Sequence, residues 1–278
     1  MRAKFGAAKT VRYVLLSLGA VAFLFPFYYM VVGSLRTKTV GDLSAAVPSG
    51  LTGANYSAIN GAISVGRSLL NSGIMTIGVL VCTLVFGVLA GYGLAVLRFR
   101  GKGAVFGALL LVQMIPFQLL TLPLYVLVVR DYGLGDNYLG MILPFAINST
   151  AVFLFRQFFL QMPASLFEAA RIDGASELRI LWRIALPMAR PAVLTALLLT
   201  FIGPWNEFLW PFLVTKNADM QPLAVSLASF LSNMQGTVAN PAGALLAGAV
   251  VLAVPAVVLF LLFQRHFTST DIDSGVKG

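Results

Sequence analysis

The chain has 278 residues, of which 59% are apolar and 10% charged, against roughly a quarter charged in ordinary globular chains. That balance is the balance of a bilayer protein, and a chain of this length with several spans has little left over for a separate soluble domain. The net charge of +9 comes from 19 Lys and Arg over 10 Asp and Glu; in a membrane chain such an excess reports orientation and argues against a nucleic-acid partner.

The amino end places Arg2, Lys4, Lys9 and Arg12 before the apolar run 13–35. That run is longer than the roughly 7–15 residues of a secretory signal core, and no small-x-small cleavage site follows it, so a retained first transmembrane helix is predicted. A helix rises about 1.5 Å per residue, so a hydrocarbon core of about 30 Å takes about 20 apolar residues. Six stretches meet or approach that length: 13–35, 69–97, 104–129, 138–155, 192–214 and 242–263. Within the second, Gly87 and Gly91 form a small-xxx-small pair, with Gly78 and Gly93 nearby, which allows close helix approach. The single cysteine, Cys82, excludes an intrachain disulfide and reads as a small buried hydrophobe. Pro116, Pro123, Pro144, Pro204 and Pro211 each remove a helix hydrogen bond, so some spans should bend.

An even number of spans puts both termini on one side. The opposite side then holds only Arg36, Lys38, Arg67, Arg130 and Lys216, with the rest of the Lys and Arg on the side of the termini. The positive-inside rule therefore predicts cytoplasmic termini. Outside, the connections 36–68 and 215–241 are long enough to form structure; the second, with Pro222, Asn233, Gln235, Gly236, Asn240 and Pro241, suits a loop with one helical turn. No internal repeat is visible, which argues against the inverted-repeat secondary transporters.

The segment 163–190 is a charged island between two apolar runs. Ser165 as N-cap and Glu168 three residues on have capping-box spacing, so a short helix should start after Pro163. Asp173-Gly174 should end it, with glycine in the left-handed conformation. Leu178, Leu181, Trp182 and Ala185 then fall at helical spacing on one face, and Pro187 and Pro191 turn the chain toward the fifth span. Two short helices at an angle, protruding into the cytoplasm, are expected.

Glu168-Ala169-Ala170, Asp173-Gly174-Ala175 and Leu186-Pro187, placed between the fourth and fifth of six spans, closely resemble the EAA loop of ATP-binding-cassette importer permeases of the maltose-type sugar branch. The resemblance implies a docking loop in a cleft of a nucleotide-binding subunit. Glu168 and Asp173 would face basic or hydrogen-bonding groups there, and Ala169, Ala170 and Gly174 would permit close approach. It further implies an all-α membrane protein of the type I importer fold, a single permease domain over 1–278 in a bacterial or archaeal inner membrane. The implied partners are a second homologous permease, two ATP-binding-cassette ATPases and an extracytoplasmic solute-binding protein. The glycine-rich tail 274–278 resembles the ending of sugar permeases.

Pro204-Trp205-Asn206-Glu207-Phe208 lies inside the fifth span, and Glu207 is the only acidic residue within the six. An ionised group at mid-membrane costs roughly 2.5–3.5 kcal/mol or more, so it should face a polar cavity, a partner or an interface. Trp205, Asn206 and Glu207 are pathway candidates or else helix-to-helix glue; Gln113, Gln118, Asn148, Ser149 and Thr150 are weaker ones. No Gly-x-x-x-x-Gly-Lys-Ser/Thr loop is present, so ATP and Mg are expected on the partner subunits and no cofactor on this chain. No catalytic residue or metal site is expected: Cys82 and His266 are far apart and neither has an evident partner. The reading is a sugar-importing permease subunit. A glycerol-phosphate diester or other polar solute is the alternative cargo, and an ion-coupled secondary transporter the alternative class.

Overall fold

The computed structural model describes residues 2–38, 47–48, 50–233 and 238–268, and it is helical through most of them. In chain order the helices are α1 (Arg2–Ser34), α2 (Ala54–Ile63), α3 (Val65–Ala95), α4 (Lys102–Gln113), α5 (Phe117–Tyr125), α6 (Tyr138–Ile142) and α7 (Ser149–Leu160). They continue as α8 (Ala164–Ile172), α9 (Glu177–Ile180), α10 (Leu186–Met188), α11 (Arg190–Asn206), α12 (Leu209–Val214), α13 (Leu223–Asn233) and α14 (Pro241–Thr268). The one β pairing among the described residues is an isolated bridge between Arg36 and Leu51. Three helices are long and apolar enough to cross a membrane unbroken, and up to six spans result if each bent pair counts as one.

The chain divides into two compact units, Met1–Gly66 with Ser226–Gly278, and Arg67–Val225. In the first, α14 packs against α1 and α2. Asn55 ties the end of α1 to α2, donating through Nδ2 to the carbonyls of Ser34 and Arg36, both at 2.8 Å. Asn240, just before α14, donates to the same Arg36 carbonyl at 3.1 Å. The apolar side chains of α1, Phe23 and Leu24 among them, stay exposed, as on a helix that faces lipid.

In the second unit α3 carries the close contacts. A Cβ on Gly91 would lie 2.6 Å from Phe155 Cβ and 3.0 Å from the backbone nitrogen of Arg156, so α7 can reach α3 only because glycine stands there. Gly87 is less crowded, a Cβ there lying 3.2–3.3 Å from the side chains of Phe155 and Ala151, and Gly78 faces the Ile142 side chain, whereas nothing lies within 4 Å of Gly93. Arg156 clamps the contact, donating from Nε to the Leu94 carbonyl at 3.2 Å with its guanidinium 4.0 Å above the Phe106 ring.

The expected bends occur, and one is larger than a bend. Between α4 and α5 the chain turns by 94° at Met114–Pro116, so 104–129 is not one straight span; Pro116 lacks an N–H and also disfavours the helical conformation for Ile115 before it. The fourth span turns by 49° between α6 and α7, after the 3₁₀ turn Leu143–Phe145 that holds Pro144, and runs on to Leu160 instead of 155. The connection 215–241 holds more than the one turn expected, since α13 is 11 residues long. Leu223, Val225, Leu227 and Phe230 supply the buried side chains that a polar reading of the connection overlooked. Gln235, Gly236 and the tail 274–278 lie outside the described residues.

Candidate functional site

Segment 163–190 forms two short helices, as its punctuation predicts, but its start differs. Pro163 takes the N-cap of α8, with extended ψ and no side-chain cap. Ser165 therefore sits inside the first turn, and the Ser165–Glu168 capping box does not form. The side-chain cap lies at the second helix, where Ser176 Oγ accepts from the Arg179 N–H at 3.4 Å. The reversal at Gly174 is as expected: φ is +77°, the Gly174 N–H donates to the Arg171 carbonyl and the Ala175 N–H to that of Ala170, both at 3.0 Å. These two bonds are the pair that closes a helix in a Schellman turn.

α8 presents Glu168 and Ala169 outward, with Asp173 and Gly174 exposed at its end, while Phe167 and Ala170 turn inward. The small outward surface is thus Ala169 and Gly174, and the small size of Ala170 serves packing within the chain. Along the second helix the buried side chains are Ile180, Leu181 and Ala185, whereas Leu178 and Trp182 are 63% and 55% exposed. The predicted stripe, which could pack against protein or the bilayer interface, thus divides: Leu181 and Ala185 pack within the chain, and Leu178 and Trp182 face outward. Leu181–Ala185 is a π-helical stretch, whose i→i+5 step breaks the 3.6-residue period on which that stripe was drawn. Leu186 is half-buried and Pro187 exposed. The axis then turns by 77° into α11, with Pro191 in the first turn.

Sequence reasoning missed a three-membered cluster behind α8. Tyr92 on α3 donates to Glu177 Oε2 at 2.7 Å, and Arg171 on α8 donates from Nε to Glu177 Oε1 at 2.7 Å and from Nη2 to Oε2 at 3.3 Å. The Arg171 guanidinium holds the Glu177 carboxyl below its ordinary value, and Glu177 in turn raises Arg171. Beside them opens a cavity of about 570 Å³ lined in part by Arg98, Glu168, Arg171 and Glu177. Both carboxylates and both guanidinium groups therefore line one open cavity beside α8.

The fifth span is broken at the pathway candidates. α11 ends at Asn206, Glu207 is extended, and α12 begins at Leu209. The freed Trp210 N–H is taken by Glu207 Oε1 at 3.2 Å, so the carboxylate caps the second half-helix from inside the span, where the positive end of a helix favours it. Asn206 is exposed and donates to the Ile202 carbonyl of its own helix at 3.0 Å. Trp205 is buried and stacked on Phe201 with centroids 5.5 Å apart. Glu207 and Asn148 are brought together on a cavity of about 250 Å³ that also holds Thr200, a residue the sequence did not single out. Asn148 meanwhile caps α7, accepting from the Ala151 N–H at 3.0 Å. Gln113 lies apart from that cavity, bonded to Thr150 Oγ1 at 2.8 Å, and Gln118 is exposed. Among the described residues no group of three or more His, Cys, Asp or Glu is placed to hold a metal ion.

The family model for the binding-protein-dependent transport system inner membrane component matches residues 83–269, a stretch that contains the loop, the broken fifth span and α14. The chain belongs to that family. The arabinooligosaccharides transport system permease protein AraQ of Bacillus subtilis is 36% identical over 98% of this chain and 95% of that protein. The sn-glycerol-3-phosphate transport system permease protein UgpE of Agrobacterium fabrum is 31% identical over 96% and 97%. Among solved structures, a bacterial ABC transporter involved in the import of the acidic polysaccharide alginate superposes with a TM-score of 0.81 at 26% identity, covering 93% of this chain and 96% of that one. The protein is an inner-membrane permease subunit of an ABC importer, a transport subunit and not an enzyme, and it works with an ATPase and a solute-binding protein.

Proposed function

We propose that the chain carries a sugar, delivered by an extracytoplasmic binding protein, across the inner membrane. It works in a complex with a second homologous permease and two ATP-binding-cassette ATPases, which hold ATP and Mg. Both termini and the loop 163–190 lie in the cytoplasm, where α8 enters the ATPase cleft through Glu168, Ala169, Asp173 and Gly174, with Leu186-Pro187 leading back to the membrane. Closure of the ATPases moves α8 and rocks the attached helices, opening the pathway alternately to either side. The observation that carries this reading is α8 itself: a short helix with an exposed Glu168 and Ala169, sharply closed at Gly174 and backed by its own buried Phe167 and Ala170.

Within the pathway, Asn148, Thr200 and Glu207 form the polar lining of one apolar cavity, the mixture that suits a hydroxylated solute. A sugar is favoured by the likeness to AraQ along nearly the full length. A glycerol phosphate is the second reading, favoured by the likeness to UgpE; against it, no Lys or Arg is among the residues lining that cavity. The experiment is ATP-driven uptake by the reconstituted complex with its binding protein. It uses a panel of mono-, di- and oligosaccharides beside glycerol 3-phosphate and its diesters. Uptake of a saccharide supports the first reading; uptake confined to the phosphates replaces it with the second.

A further inference from the structure

We propose that Glu177 is a positioning residue that clamps the docking helix α8 to the membrane helix α3, by holding Arg171 on α8 and Tyr92 on α3 with one carboxylate. The proposal deepens the loop reading above and rests on it. By covalent connection α8 moves only its sequence neighbours, α7 before it and α9 to α11 after it. α3 is remote in sequence, since Tyr92 and Glu177 are 85 residues apart, yet they are joined at 2.7 Å.

The geometry is that of a fixed strut. Tyr92 is 3% exposed, and its ring is held edge-on by Phe159 of α7 at 5.7 Å and by Phe167 of α8 at 6.2 Å. The hydroxyl therefore has little room to swing. On the other side the Arg171 fork grips both carboxylate oxygens, at 2.7 and 3.3 Å, and a forked charge-assisted contact fixes direction as well as distance. Arg171 also stands in the last turn of α8, where its carbonyl takes the Gly174 N–H of the closing turn. A displacement of α8 thus reaches α3, and through the Gly87 and Gly91 contact the same helix is already seated on α7. The pair is more than a third exposed, so it contributes little to folding. Its role is to transmit position.

The test uses the whole reconstituted transporter with companion permease, ATPase and binding protein, reading ATPase co-purification, ATP turnover and solute moved per ATP. In Glu177→Gln the ATPase should co-purify as with the unaltered chain, while solute moved per ATP falls about fivefold or more, the lower end of typical coupling between sites. Tyr92→Phe removes a single oxygen atom and should lower the same ratio. Glutamine keeps one oxygen, which cannot serve both the Arg171 fork and Tyr92, and the double variant should be no worse than Glu177→Gln because both changes break the same strut, at its Arg171 end or its Tyr92 end. An unchanged ratio in Glu177→Gln, or losses that multiply in the double variant, overturns the clamp. Should Glu177→Gln fail to assemble, Tyr92→Phe alone decides, an unchanged ratio overturning the clamp and a lowered one supporting it. Glu168→Lys serves as reference for the loop reading. If it uncouples transport and Glu177→Gln does not, only the clamp falls; if it transports normally, the loop is not the docking surface and both fall.

Discussion

Replacing Gly91 with alanine tests the close approach of α3 and α7, which seats the clamp and the docking helix. The new Cβ would stand 2.6 Å from Phe155 Cβ, 3.0 Å from the Arg156 nitrogen and 3.2 Å from the Phe155 carbonyl carbon. Two of these three atoms are backbone, so no rotamer change relieves the clash and α7 itself must move. Overpacking of a well-packed contact costs about 1–3 kcal/mol, offset by the gain of up to about 1 kcal/mol when alanine replaces glycine inside a helix. The net is a loss of about 0–2 kcal/mol. Gly93→Ala, two residues on, adds a Cβ with nothing within 4 Å and keeps only the helix gain. The helix gain is common to both, so the two variants should differ by the overpacking cost alone, about 1–3 kcal/mol, although the chemical change is the same. Thermal unfolding of the detergent-solubilised complex should put Gly91→Ala several degrees below the unaltered protein and Gly93→Ala at or above it. Equal midpoints for the two variants would refute the packing argument.

At Gly174, where φ is +77°, valine strains the left-handed turn by about 1–2 kcal/mol or opens it. Gly174→Val should therefore reduce ATPase association in a pull-down more than Gly174→Asn, which tolerates that conformation. Glu207→Gln keeps an oxygen for the Trp210 N–H and should fold as the unaltered chain does, whereas Glu207→Leu leaves that donor uncapped and should lose about 1 kcal/mol in thermal unfolding. Arg171 holds Glu177 below its ordinary value. The small contribution of this exposed tie is therefore fully present above the unfolded carboxyl value of about 4.3 and is lost only as pH falls through the lower folded one. Unfolding midpoints should show no titration of this pair between pH 6 and 8, and the difference between the unaltered chain and Glu177→Gln should vanish in strong acid.

What the sequence made legible is what residues dictate locally. Gly174 announced a left-handed helix end, and the Gly87 and Gly91 pair announced a helix contact, because each needs only a missing side chain. Pro116 located a break but not its 94° angle, which depends on what the two halves pack against. The stripe through Leu178 and Trp182 divides between inward and outward positions because periodicity presumes an α-helix, and Leu181–Ala185 is wound as a π-helix. Glu207 was marked by its charge and by the likeness of Trp205-Asn206-Glu207-Phe208 to the Trp-Asn-acidic-Phe pattern of sugar permeases. That it caps a second half-helix follows from a chain break that Pro204, two residues inside the end of α11, hinted at without specifying. The cluster of Tyr92, Arg171 and Glu177 gave no sequence signal, since a contact across 85 residues leaves no local pattern.

The central claim is that α8 receives force from an ATPase at the cytoplasmic face. With Cys82 replaced by serine, a single cysteine at Ala169, which is exposed, should cross-link to the ATPase subunit in the assembled transporter, with a yield that changes on ATP binding. It should also resist a membrane-impermeant thiol reagent added outside intact cells. Labelling of that cysteine from outside, with no cross-link to the ATPase, would contradict the account.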